Sequence, residues 1–297
     1  MPYKLIKGTF HLTGKSKTGK DTSYQPDGDS MHFKPNNPAH LDDLQRVGRP
    51  YKLTRIGSLN LRFEGIDATE IHFGGSRQPS PLAEDSRDYL TGKIGMNPVT
   101  YKADGYRVKP PANDGQKGFI LSKQLDFHGR PVSFFFTGTT PLADSSWQYV
   151  KTSLLKRSMN YKLLANGFVY PLFYDTLYSS LRETLRDAAL SAIDAGKNIW
   201  QYDWTNYWVD ISKESNVQEL FNIYPKLFRR ITDYYNDFDS FNHAQFVSWL
   251  DEKSENDRVW YRPDWNLTHL DNIVEVKGKK IRLNYFPEDL VFVSKTS

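Results

Sequence analysis

The stretch Ser58-Leu59-Asn60-Leu61-Arg62-Phe63-Glu64-Gly65-Ile66-Asp67-Ala68-Thr69-Glu70 decides how this chain is read. Leu59, Leu61 and Phe63 alternate with polar residues, the period of a strand with one face in a core, and Gly65 with the offset Ile66 marks a turn at its end. Arg62, Asp67 and Glu70 therefore stand where a strand gives way to a loop. Asp27-Gly28-Asp29-Ser30 is a second concentration of this kind, at the start of a strand expected over about 30–34. Carboxylates at strand ends supply the hard oxygen ligands that Ca²⁺ prefers, and an Arg beside them offers a planar fork for two phosphate oxygens. Each stretch also reads as an Asx-turn with a nearby surface ion pair, and neither alone decides between the two.

Working outward, residues 3–12 read as a strand, and GKSKTGKDTSYQPDGDS over 14–30 as a mobile basic loop. Leu82 to Leu90 is expected to form a short helix, and GFILSKQLDFHGRPVSFFF over 118–136 two strands joined at His128-Gly129. The clearest helix runs from Thr176 to Ala195, with Leu177, Leu181, Leu185, Ala188, Ala192 and Ile193 at three- and four-residue spacing, Asp175 as N-cap and Gly196 as its stop. Short strands first and helices later describe an antiparallel barrel with helices packed against it, an α+β fold. Six of the seven Trp lie at or beyond position 200, which puts a boundary near 204. Residues 205–297 then form a smaller α/β extension. It has helical patterns at 216–238 and 240–252, a break at Pro225, and strands at 272–276 and 280–286 around Lys277-Gly278.

At 297 residues the chain holds one medium domain and a second unit, and 38% hydrophobic with 25% charged residues is the balance of a water-soluble globular protein. No apolar run is long enough to cross a bilayer, so no membrane partner is expected. The first residues, MPYKLIKGTFHL, lack an apolar core and a small-residue cleavage site. A cytoplasmic location is expected on that ground, with a leader preceding these residues left open. Zero cysteines exclude disulfides, thiolate metal sites and thiol catalysis. The net charge of +4 favours a polyanion only if it is clustered.

Taken together, DGDS and RFEGIDATE resemble the staphylococcal nuclease family, whose signature is Asp-Gly-Asp-Thr followed by Arg-x-x-Gly-Ile-Asp-Ala-Pro-Glu. Phe127-His128-Gly129-Arg130-Pro131 before an apolar strand is similar to the family's Tyr-Gly-Arg-Gly segment. Met159-Asn160, Leu163-Leu164 and Asn166-Gly167 resemble its short helix, and Lys197-Asn198-Ile199-Trp200 the end of its closing helix, all in family order over about 200 residues. The resemblance implies an OB-fold, a five-stranded Greek-key barrel, and a calcium-dependent nuclease that leaves 3′-phosphate ends on DNA or RNA. It implies Asp29 and Asp67 as carboxylate ligands of one Ca²⁺, with the main-chain carbonyl of Ala68 as a further ligand. Glu70 would orient or deprotonate the attacking water, and Arg62 and Arg130 would hold the scissile phosphate.

Several departures accompany the resemblance. Thr69 replaces a turn Pro, Phe127-His128 stands where the family often has Lys-Tyr beside the nucleotide, and Phe173 replaces a Tyr near the bound base. Insertions within 34–58 and 138–157 are expected to narrow access to the site or to be plain loop growth; the second, with Asp144-Ser145-Ser146-Trp147-Gln148-Tyr149, is expected to extend a helix. Gly14 to Lys20 nearly fits a phosphate-binding loop, but Asp21 stands where a Ser or Thr must reach Mg²⁺. The alternative from another class is a catalytically inactive module on the same fold that grips nucleic acid or a protein without cutting.

Overall fold

The computed structural model describes residues 2–254 and 257–294. Contacts divide the chain into two compact units, one holding the described residues of Met1–Glu64 and Arg87–Leu163, the other Gly65–Ser86 and Leu164–Ser294.

The first unit is built on strands β1 (Tyr3–His11), β2 (Ser30–Pro35), β3 (Leu59–Phe63), β4 (Gln116–Leu125) and β5 (Pro131–Thr137). They lie in the order β2-β3-β5-β4-β1, and β1 pairs back onto β2 to close a barrel. Within it β3 and β5 run parallel and the other pairs antiparallel. This is a closed five-stranded mixed barrel, consistent with an OB-fold. Closure depends on the length of β1, whose Lys4–Phe10 pairs with β4 while Gly8–His11 pairs with β2. The period-2 pattern of β3 does what it dictates: Leu59, Leu61 and Phe63 are buried while Asn60 and Arg62 are only partly covered. Inside, Phe63 stacks on Phe135 with centroids 4.2 Å apart, and Phe10 meets Phe33 at 5.4 Å and Phe135 at 5.3 Å.

The segment expected to be a mobile loop carries a hairpin, Thr13–Lys15 against Asp21–Ser23. Ser16 and Lys20 close its turn, and Gly19 supplies the left-handed residue at φ +83°. The insertion expected to extend a helix instead adds a short strand, Trp147–Gln148, to the edge of β1 at Tyr3 and Lys4. A four-residue helix, Thr152–Leu155, follows it.

The second unit contains helices α1 (Ser179–Asp194), α2 (Pro225–Asp237) and α3 (His243–Ser254). Its strands are β6 (Phe173–Tyr174), β7 (Val209–Asp210), β8 (Arg258–Tyr261), β9 (Asn266–His269), β10 (Val274–Lys277), β11 (Lys280–Leu283) and β12 (Leu290–Phe292). They form a four-stranded sheet, β6-β12-β8-β9, and a three-stranded sheet, β7-β11-β10. Pro225 occupies the first turn of α2, where a missing N–H costs nothing, and so breaks the helical pattern of 216–238 into two.

α1 buries Leu181, Leu185, Ala188, Ala189 and Ala192, as its spacing dictates. It begins three residues later than expected because Phe173–Tyr174 pairs with β12. Asp175, expected as the N-cap, instead accepts the Ser294 N–H at 2.9 Å. The boundary expected near 204 falls inside this unit. Tyr170, Leu172 and Ile199 share one core with Tyr224, Phe228, Ile231, Tyr234, Phe246 and Trp249, so residues on both sides of 204 bury each other.

Candidate functional site

The predicted site residues fall three in each unit. Asp29, Arg62 and Arg130 belong to the barrel, and Asp67, Ala68 and Glu70 to the second unit.

In the barrel, strand register brings its three together. Ser30 pairs with Arg62 across β2 and β3, and Arg62 pairs with Val132 across β3 and β5. Asp29 and Arg130, one and two residues before those rungs, lie at the same end of the barrel. Asp29 is tied there through its carbonyl, which accepts the Phe63 N–H at 3.0 Å, and its own N–H donates to the Asp27 carboxylate at 3.2 Å, so the Asx-turn is present too.

Arg130 leaves a tight turn. The Asp126 carboxylate accepts the N–H groups of His128 and Arg130 at 2.9 and 2.8 Å, and Gly129 takes the left-handed conformation at φ +84°. A Cβ at Gly129 would stand 2.4 Å from the Pro50 carbonyl, so the turn demands glycine. The Arg130 guanidinium lies on Asp126 at 2.7 Å and stays about one-third exposed. Phe127, before it, is also exposed. Glu64, two residues after Arg62, is buried, and desolvation pushes its carboxyl up to about 7 against the pull of Lys123 and Arg62.

In the second unit, Ile66–Asp67 forms a two-residue antiparallel pairing with Tyr170–Pro171. Gly65 makes the bend, with φ +80° and the Leu185 side chain 2.6 Å from where a Cβ would be. Glu70 is fixed through its backbone: its N–H donates to Gln78 Oε1 at 3.0 Å, and its carbonyl accepts the Gln78 N–H at 2.9 Å. Gln78 is fully buried, and its amide donates to the Ile223 carbonyl at 2.7 Å, two residues before α2. Asn222 continues this polar chain to the Tyr170 hydroxyl, which donates to Asp203 at 2.8 Å. Burial raises both Tyr170 and Asp203 above their ordinary values.

Sequence reasoning missed Arg229. From α2, its Nη1 and Nη2 reach the two oxygens of Asp67 at 3.2 and 2.7 Å, and Nη1 also reaches Glu70 Oε1 at 2.5 Å. Burial works against the guanidinium charge but is outweighed by Asp67 and then Glu70, so the arginine is held more firmly protonated than usual. Nothing in the spacing announces this, because Arg229-Arg230 on an amphipathic helix reads as a solvated flank. Phe173, the expected neighbour of a bound base, is fully buried in β6.

Asp67 and Glu70 are thus two carboxylates that share one guanidinium, and carboxylate oxygens are the hard donors calcium prefers. Among the described residues no group of three or more His, Cys, Asp or Glu side chains is gathered so as to hold a metal. The expected set asks for two carboxylates and a carbonyl. No helix among the described residues is long and apolar enough to cross a membrane. No family model matches this chain, and no curated protein matches it in sequence.

Proposed function

We propose that this chain is a calcium-dependent phosphodiesterase acting on DNA or RNA and leaving 3′-phosphate ends. The observation that supports the reading is the ladder Ser30, Arg62, Val132, whose register sets the positions of Asp29, Arg62 and Arg130 at one end of a barrel of OB-fold strand order.

In this reading Arg62 and Arg130 bind the scissile phosphate and neutralise the charge that grows on its oxygens as water attacks. By the resemblance, Asp29 of the first unit and Asp67 and the Ala68 carbonyl of the second would be the residues that hold Ca²⁺, which would supply positive charge to offset that of the phosphate. Glu70 orients that water or accepts its proton. The Arg130 fork must leave Asp126 to engage a phosphate, and its partial exposure leaves it free to turn. The exposed Phe127 offers a ring to a neighbouring base.

The test is digestion of labelled single- and double-stranded DNA and RNA with Ca²⁺, with Mg²⁺ and with EDTA. Cleavage that requires Ca²⁺, falls steeply with Mg²⁺ and stops in EDTA supports the reading; full cleavage in EDTA removes it. A second reading, an inactive module that binds nucleic acid or a protein, is favoured by one observation, the ion pairing of Arg229 with both Asp67 and Glu70. It predicts binding with no metal-dependent cleavage.

A further inference from the structure

We infer that Arg229 sets the calcium affinity of the candidate site by competing, as a tethered cation, for the Asp67 and Glu70 carboxylates; this rests on the nuclease reading. The fork engages both oxygens of Asp67, so an ion that takes the carboxylate through both oxygens must displace the guanidinium, and one that takes a single oxygen still shares its charge with Arg229. The same Nη1 engages Glu70, whose lone pair is then less available to a water proton.

The carboxylates have little freedom to move away instead. Asp67 sits in a strand pairing with Tyr170 and is buried, and the Glu70 backbone is locked at both its N–H and its carbonyl by Gln78. Arg229 is the adjustable member, a long side chain on an established helix with 21% of its surface exposed. Its removal takes away the competitor and changes the charge of the Asp67, Glu70 and Arg229 group from −1 to −2, and both effects raise affinity for a divalent cation. A residue that merely positioned the carboxylates would act with the opposite sign, since its loss would loosen the ligands and weaken the ion.

The experiment is calorimetric titration of CaCl₂ into the full chain at low ionic strength, with wild type, Arg229→Gln, Arg229→Lys and Arg230→Gln. Arg230 lies on the same helix and pairs with Asp257 and Asp233, so it controls for loss of an arginine alone. Arg229→Gln is expected to bind Ca²⁺ at least about tenfold more tightly than wild type, equivalent to about 1.4 kcal/mol. Arg229→Lys should fall between them, because a compact ammonium cannot span both oxygens of Asp67, and Arg230→Gln should match wild type. Calcium should also raise the melting temperature of Arg229→Gln more than that of wild type. If two unbalanced carboxylates keep Arg229→Gln from folding without calcium, Arg229→Lys carries the comparison. Equal or weaker binding in the Arg229 variants, with calcium still bound by wild type, overturns the inference and leaves the nuclease reading standing. Absence of calcium binding in all four proteins, or binding that Asp67→Asn leaves unchanged, overturns both.

Discussion

Asn160 is a single side chain on which the barrel end depends. β3 stops at Phe63, and beyond it the Asn160 amide takes over the edge of β5: its Oδ1 accepts the Phe135 N–H at 3.0 Å, and its Nδ2 donates to the carbonyls of Ser133 and Glu64 at 3.0 and 2.9 Å. The side chain is fully buried, so water cannot replace these bonds. In Asn160→Ala the Phe135 N–H loses this acceptor, at about 1–3 kcal/mol, and two donated bonds are lost at about 1 kcal/mol each. The Ser133 carbonyl keeps its bond from the Glu64 N–H at 2.9 Å, which limits the damage. The expected destabilisation is about 3–4 kcal/mol, a large part of an ordinary folding free energy. Urea denaturation, with amide hydrogen exchange over residues 131–137, measures it. Because Asn160 ties the strand of Arg62 to the strand after Arg130, loosened protection there should accompany reduced cleavage. Asn160→Asp should lose less at low pH than at neutral pH, because only the protonated acid can still donate to a carbonyl. A loss below about 1 kcal/mol with unchanged protection over 131–137 would refute the reasoning.

Three further outcomes are expected. Arg130→Ala and Glu70→Gln should each lower turnover by two or more orders of magnitude, roughly 3 kcal/mol or more in the barrier, while nucleic-acid affinity changes far less; paired cleavage and binding assays check this, and equal trace cleavage by wild type and Glu70→Gln would sink the enzyme reading. Glu64 is raised from 4.5 to about 7 in the folded state, so the folded chain holds an extra proton between those values. Its contribution is therefore fully present below about 4.5 and lost as pH rises to about 7, worth roughly 3 kcal/mol. Subtracting the stability profile of Glu64→Gln from that of wild type isolates it from Glu288, which burial raises to about 7 as well; a flat difference between pH 4.5 and 7 refutes it. A fragment of residues 1–204 lacks Tyr224, Phe228, Ile231, Tyr234, Phe246 and Trp249, the core partners of Tyr170, Leu172 and Ile199, and should not melt cooperatively as an intact pair of units; calorimetry and size-exclusion chromatography decide.

The barrel was legible because period 2 and turn chemistry act over a few residues. Leu59, Leu61 and Phe63 alternate, and His128-Gly129 must turn because Gly129 alone tolerates its backbone angle against Pro50. The second unit was less legible. β6, β8, β9 and β12 are three or four residues long at most, two in the case of β6, too short for a periodic signal, and β6 pairs with β12 more than a hundred positions away. That remote pairing is what shortened α1 and drew Asp175 away from a capping role. Trp content puts the boundary near 204, inside the second unit, because aromatic richness marks a core without saying which earlier residues, here Tyr170, Leu172 and Ile199, share it.

The candidate site divides along the same line. Asp29, Arg62 and Arg130 are set at one barrel end by neighbouring rungs, so three local strand readings suffice to bring them together. Arg229 lies 162 positions from Asp67 along the chain, and what aims it there is a relay of specific contacts. The Gln78 amide fixes the Glu70 backbone and the Ile223 carbonyl, Asn222 binds Tyr170, and Tyr170 is the strand partner of Asp67. Each link is an amide or hydroxyl that looks like an ordinary polar residue until the chain is folded. Burying Asp67 beside the half-buried Glu70 costs several kcal/mol unless a cation joins them, so some positive group had to stand there. The acids alone therefore required a partner; only the folded second unit says that it is an arginine of the chain's own.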